Sequence, residues 1–159
     1  MARITTNTTG TQPVIEISTD PNIANVANTG LSIICLQDIT ITNSTGVYSY
    51  TTFCTPDMNK LPTPADNEIS VNMVIDSLVY FGNASATANS AANLGVSDIS
   101  INKIPVNFRI NWNGTANGSY YTEGAGFVTS LAPTVSPDAP VWVSPLTIAV
   151  DGSLTNGTI

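Results

Sequence analysis

The sequence predicts an all-β protein, a mostly antiparallel β-sandwich or barrel-like fold with one short flanking α-helix. Three observations carry this. Apolar residues recur with period two in several stretches, Val, Ile and Thr dominate those stretches, and Gly, Pro and Asn punctuate them at short intervals. The 159 residues fit one domain, 1–159, long enough to bury roughly two-thirds of its unfolded surface.

In chain order, a polar segment at 1–12 precedes residues 14–19, which alternate apolar and polar with Glu16 interrupting one face. Residues 31–36 form an apolar run suited to burial on both faces, and 37–42 continue it through Ile39 and Ile41. Residues 43–46 predict a turn, and 47–54 a strand rich in Tyr, Thr and Phe. Next, residues 55–67 carry Pro56, Pro62 and Pro64 with few apolar neighbours. They predict an irregular loop projecting from the sheet, because strong strands flank it.

The clearest strand is 68–76. Ile69, Val71, Met73 and Ile75 share one face, so a slip of one residue would turn the whole apolar set outward. Residues 79–81 end that stretch. Residues 83–94 are Ala-rich, nearly free of β-branched side chains, and stop at Gly95, where a helix C-cap belongs. They predict the one helix, with a flexible Ala/Ser loop as the alternative.

Strands resume at Val96. Ile99 and Ile101 share one phase, whereas Ile104, Val106, Phe108, Ile110 and Trp112 share the other, so a bulge or tight turn is expected at Asn102 and Lys103. Pro105 lacks an N–H and belongs at an edge or at the start of a strand. Residues 113–119 read as a hairpin tip, and 120–131 as a strand in which Gly124 and Gly126 mark a bend or a close backbone approach. Residues 132–140, with three prolines, are irregular. The last strand or pair covers 141–143 and 146–150, interrupted at Pro145, and 151–159 form a polar tail.

Composition excludes several functions. The net charge is −7, and Arg3, Lys60, Lys103 and Arg109 are the only cations, too few to grip a phosphate backbone. Histidine is absent, which removes the commonest general base and metal ligand. Cys35 and Cys54 are too few for a thiolate zinc site and read as buried free thiols or one disulfide. The acids lack calcium-loop spacing, and no Gly-x-Ser-x-Gly elbow occurs. Gly124-Ala-Gly126 has no third glycine at phosphate-binding spacing. No catalytic, cofactor or metal residues are expected. Trp112 and Trp142 read as core or interface residues, with sugar stacking as the lesser alternative. No apolar run approaches a signal core or a membrane span, so the chain is expected to be soluble and made inside the cell.

Only 9% of residues are charged, against about 25% in an ordinary soluble domain. Short neutral side chains supply the polar surface instead, and they cost less to desolvate than charges do. Such a surface suits packing against copies of the same chain. The expected pairing strands are the charge-poor ones bearing Ile69, Val71, Met73 and Ile75 and Val106, Phe108 and Ile110.

The order of elements resembles the major tail tube proteins of tailed bacteriophages. The resemblance covers roughly residues 30–155. It lies in the strand 47–54 entering the long segment 55–67, the alternating strand 68–81 leading to a helix, and Ile104-Pro-Val-Asn-Phe-Arg-Ile-Asn-Trp112. The ending, Glu123-Gly-Ala-Gly-Phe-Val-Thr-Ser-Leu131 followed by Leu146-Thr-Ile-Ala-Val-Asp-Gly152, completes it. The resemblance implies hexameric rings stacked into a tube, and a segment (Pro56, Asp57, Lys60, Leu61, Pro62, Pro64) that reaches the adjacent ring. It also implies partners such as the tape-measure and terminator proteins, a virion tail assembled in the host cytoplasm, and DNA passing through unbound during ejection. A capsid decoration or cement protein and a carbohydrate-binding adhesin module are the alternatives.

Overall fold

The computed structural model describes residues 12–20, 30–34, 36–85, 89–138 and 141–159, without the side chains of Thr55 and Pro56. Most of the N-terminal polar segment, Cys35 and residues 86–88 of the expected helix lie outside the described residues.

Seven strands form one sheet: β1 (Val14–Ser18), β2 (Leu31–Ile33), β3 (Leu36–Thr52), β4 (Thr55–Val74), β5 (Pro105–Asn111), β6 (Tyr120–Leu131) and β7 (Val143–Thr158). Their order is β2-β1-β5-β6-β7-β4-β3, and every neighbouring pair is antiparallel. Period-two alternation puts Ile15 and Ile17, Ile69, Val71 and Met73, Val106, Phe108 and Ile110, and Leu146 and Ile148 on one buried face. All belong to a single core cluster. The sheet must curl to make it. β2 and β3 are its two outermost strands, yet only two residues separate Ile33 from Leu36, so those edges come within about 11 Å of each other. The result is barrel-like.

Among the described residues two short helices, rather than the one expected, lie between β4 and β5, and the second packs Ala91, Val96 and Ile99 into the core cluster. In α1 (Ser77–Phe81) the Asp76 carboxylate accepts from the Leu78 and Val79 amides at 2.8 and 3.4 Å, an N-cap that diverts 79–81 from the strand expected there. The second helix, α2 (Ala91–Ile101), starts at Ser90, whose hydroxyl accepts from Asn93 N at 3.2 Å. Gly95, at φ 68°, breaks it after one turn, as a capping glycine does, but a further helical stretch follows. The expected helix at 83–94 is therefore displaced, and the strand expected at 96–101 is helical. Val96 and Ile99 point three residues apart into the core, while Ile101 is 72% exposed, so the Ile99/Ile101 alternation was not a strand face.

Elsewhere the chain is more extended than expected. The turn at 43–46 and the irregular loop at 55–67 are both strand, continuous parts of β3 and β4. Bulges absorb the irregularity: the register shifts between Thr45/Val47, beside Pro64, and again between Tyr50/Thr52. There β4 has only β3 as a partner, so the missing proline N–H groups break no second ladder. The tail at 151–159 is also strand, because β7 continues along β6 to the pair Tyr120↔Thr158. Nor does Pro145 interrupt β7. It faces Asn72 of β4, just before pairing with β6 begins at Leu146, and its carbonyl accepts from Ala132 N at 3.4 Å. Pro105 opens β5, and the phase change before it is a turn with Lys103 at φ 53°.

Candidate assembly surface

The β3–β4 hairpin is a long feature that none of the described residues outside it covers. From Leu36↔Met73 to Thr42↔Glu68, β4 is flanked by β3 and β7. Beyond Glu68, β4 pairs only with β3, and the two run on to a tip at Phe53 and Cys54. The free part spans roughly 40 Å at the usual strand rise. No residue of it whose burial is described is buried, yet it carries Val47, Tyr48, Tyr50, Phe53, Met58 and Leu61, all exposed. Tyr48 and Tyr50 stack with ring centroids 6.2 Å apart, and Leu61 lies across from Tyr48. A contiguous apolar patch of this kind on a soluble surface marks a contact site. Cys54 is an exposed free thiol at the tip, not the buried one expected.

A second apolar patch lies at the other end of the same strand. β4 runs into Ile75 and then α1, where Leu78 and Phe81 are exposed. Opposite Val74, the start of β7 brings in Val141 and Trp142, and Trp142 O accepts from Ile75 N at 2.9 Å. Ile75, Ser77, Phe81, Val141 and Trp142 line an open groove of about 360 Å³.

Among the expected interface residues, Asp57, Lys60, Leu61, Pro62 and Pro64 are exposed on the hairpin, and Pro56 lies in β4. The expected pairing strands need correction. Ile69, Val71, Met73, Val106, Phe108 and Ile110 are buried, and their strands are hydrogen-bonded on both sides, β4 by β3 and β7, β5 by β1 and β6. Their lack of charge reflects the core, not an open edge. Among the described residues, open main-chain edges lie instead along β2, along the whole of β3, along β4 over 55–67 and along β7 over 151–158. Ile75 leaves the strand and joins the groove.

The sheet's outward face is polar and sparsely charged. Glu16, Arg109 and Glu123 stand side by side on β1, β5 and β6. Arg109 donates to Glu123 Oε2 from Nη2 at 2.9 Å and from Nε at 3.1 Å, and its Cζ lies 4.5 Å from the Tyr121 ring centroid. Asn111 Nδ2 donates to Glu16 at 2.9 Å, and Asn72 Nδ2 donates to Asp38 at 2.8 and 3.0 Å. The two tryptophans do not share a platform. Trp112, half-buried, donates from Nε1 to Thr122 Oγ1 at 2.9 Å near the C-terminal end of β7, whereas Trp142 precedes its N-terminal end. Among the described residues no group of three or more His, Cys, Asp and Glu is placed to hold a metal ion, and no helix is long and apolar enough to cross a membrane.

Of the groove residues, Trp142 is expected in the core or an interface and Ile75 on a pairing strand, but that they meet Phe81 and Val141 shows only in the folded chain. The hairpin's apolar side chains were visible as a strand at 47–54, but the prolines hid its second half.

The architecture defines a class: a curled antiparallel sheet with helices at one end and a long, self-paired hairpin leaving the other. No protein-family profile matches the chain, and no curated protein sequence does. Solved structures do match in fold. One is a chain of the virion of a native gene transfer agent particle, at 14% identity and a TM-score of 0.57, covering 90% of this chain and 95% of that one. Another is from the tail of an empty gene transfer agent particle with C6 symmetry, at 14% identity and a TM-score of 0.58, covering 89% and 93%. A third is from the sheath/tube terminator of the extracellular contractile injection system PVC in the extended state, at 13% identity and a TM-score of 0.55, covering 91% and 92%. The chain shares its fold with components of these tail and injection assemblies, and the resemblance to tail tube proteins is met at the level of fold.

Proposed function

We propose that the chain is a structural subunit of a phage-type tail tube, forming hexameric rings that stack into a conduit for genome delivery. The observation that carries this reading is the likeness over about nine-tenths of the chain to a component of a C6-symmetric tail. A long apolar hairpin with no partner among the described residues supports it, because a surface of this kind marks a contact site. So do the open edges of β2 and β3, which suit strand addition between subunits of a ring.

In this reading the subunit performs no chemistry. Its partners are copies of itself and other tail proteins, including tape-measure and terminator components, and its place is the virion tail, assembled in the host cytoplasm. DNA passes without specific binding, because a net charge of −7 and few cations give phosphates little to hold. The adhesin alternative would use Trp112, Trp142, Tyr120 and Tyr121, but Trp142 lies at the opposite end of β7 from the other three and the Tyr121 ring is covered by Arg109.

Negative-stain microscopy of the purified protein at high concentration tests the proposal. Six-fold rings and tubes are the expected result. Persistent monomers, even with other tail components added, would overturn it, and a stable trimer that binds only assembled shells would replace it with the decoration reading.

A further inference from the structure

The hairpin and the groove occupy the two ends of one strand. β4 has 20 residues, so its ends lie roughly 65 Å apart at the usual rise, and a hairpin tip cannot fold back into its own groove. Each copy nevertheless presents one protruding apolar element and one apolar recess, facing opposite directions along the same axis. When copies are stacked in one orientation, the hairpin of one points at the groove end of the next. A contact of this heterologous kind repeats without closing, which is how a stack grows.

We infer that the apolar end of the β3–β4 hairpin seats in the Ile75, Phe81, Val141 and Trp142 groove of the next copy along the tube. The inference rests on the tube-subunit reading and deepens it by naming the receiving surface. Three observations select a second copy as occupant. Ten of the sixteen exposed large apolar residues described lie at these two ends, Val47, Tyr48, Tyr50, Phe53, Met58 and Leu61 at one and Leu78, Phe81, Val141 and Trp142 at the other; the other six, Ile101 and Tyr120 among them, lie elsewhere. The groove, at about 360 Å³, has room for aromatic side chains such as Phe53 or Tyr50, and aromatic anchors filling apolar pockets carry most of the energy of protein contacts. The third is a local opposite-charge pair: Lys60 is the hairpin's one cation and exposed Asp76 caps α1 beside the groove, although Asp57 and Asp66 leave the free hairpin at a net −1.

The test places the photoreactive phenylalanine analogue benzoylphenylalanine at position 53 of the full chain, irradiates assembled tubes, and maps adducts by mass spectrometry. Mixing isotopically light and heavy protein distinguishes contacts between copies. Adducts between copies to peptides containing residues 75–81 or 141–143 are expected. Trp142→Ala should raise the concentration needed for tubes at least about tenfold, the scale of an interface anchor, with Trp142→Phe restoring most of it. Circular dichroism should be unchanged, since Trp142 is 46% exposed and outside the core cluster. Adducts confined to other surfaces of assembled tubes, or Trp142→Ala tubes that form at the wild-type concentration, would overturn the groove assignment alone. A wild-type protein that forms neither rings nor tubes would overturn the tube reading on which the assignment rests.

Discussion

Gly126 lies in β6 directly against β7, and a Cβ built on it would run into the backbone carbonyl oxygen of Ala149. Gly124, two residues earlier on the same strand, is crowded differently: its Cβ would lie 3.0 Å from Cζ of the Phe108 ring and 3.2 Å from Cδ2 of Leu154. A cross-strand backbone cannot retreat without opening its ladder, whereas a side-chain end shifts by a few tenths of an ångström. Gly126→Ala is therefore expected to destabilise the monomer by about 1–3 kcal/mol, and Gly124→Ala by less than half as much. Urea unfolding of the two variants checks the order, and equal losses would contradict the steric account. The sequence pointed to a bend or a close approach at both glycines. What it did not contain is which neighbour comes close: Ala149 arrives from the later strand β7, and Phe108 meets Gly124 through the register of the β5–β6 hairpin. The same holds for Asn111, on the outward face of β5 but only 1% exposed, whose Nδ2 reaches Glu16 across the sheet.

Among the elements, the strands with strict alternation were legible because a half-buried sheet demands period two, and 68–74 and 105–111 follow it closely. The hairpin was not, because prolines ordinarily signal loops. Pro62 and Pro64 are accommodated here by a bulge and by a strand that has a partner on one side only. The helices are displaced for a related reason: the Ala-rich stretch 83–94 has helical composition, but the chain starts its helices at strong N-caps, Asp76 ahead of that stretch and Ser90 inside it. The pairing of β3 with β4 decides how the projecting segment is to be tested. Deleting only 60–66 would strip partners from β3 and leave half a ladder. Removing 45–65 as a unit, and joining Ser44 to Asp66 through Asn-Gly, keeps the Ser44↔Asp66 register and supplies a two-residue turn suited to it. No side chain described in 45–65 belongs to the core cluster. The shortened protein should melt within about 3 °C of the parent, the range expected of surface changes, yet form no tubes. A fall in melting temperature beyond about 8 °C would show that the hairpin stabilises the barrel itself.

On the scale of the whole molecule, the balance of charge and apolar surface fixes how assembly should respond to salt. Each copy carries −7, so bringing copies together accumulates like charge, and that repulsion acts over the Debye length. Raising salt shortens that length from about 10 Å at 0.1 M to about 3 Å at 1 M. The contacts proposed to hold the stack are apolar side chains and main-chain strand pairing, neither of which salt weakens. Lys60 facing Asp76 would be an exposed pair worth about 1 kcal/mol at most, so its screening is the smaller effect. Arg109 is already satisfied by Glu123 and Tyr121 within the chain, and so offers little to a neighbour. The critical concentration for assembly, measured by light scattering and sedimentation, should therefore fall as sodium chloride rises across about 0.1 to 1 M. An assembly held by ion pairs would show the opposite slope. Tubes that dissolve in high salt, while circular dichroism keeps the folded spectrum, would mean that charge rather than the hairpin's apolar face joins one copy to the next.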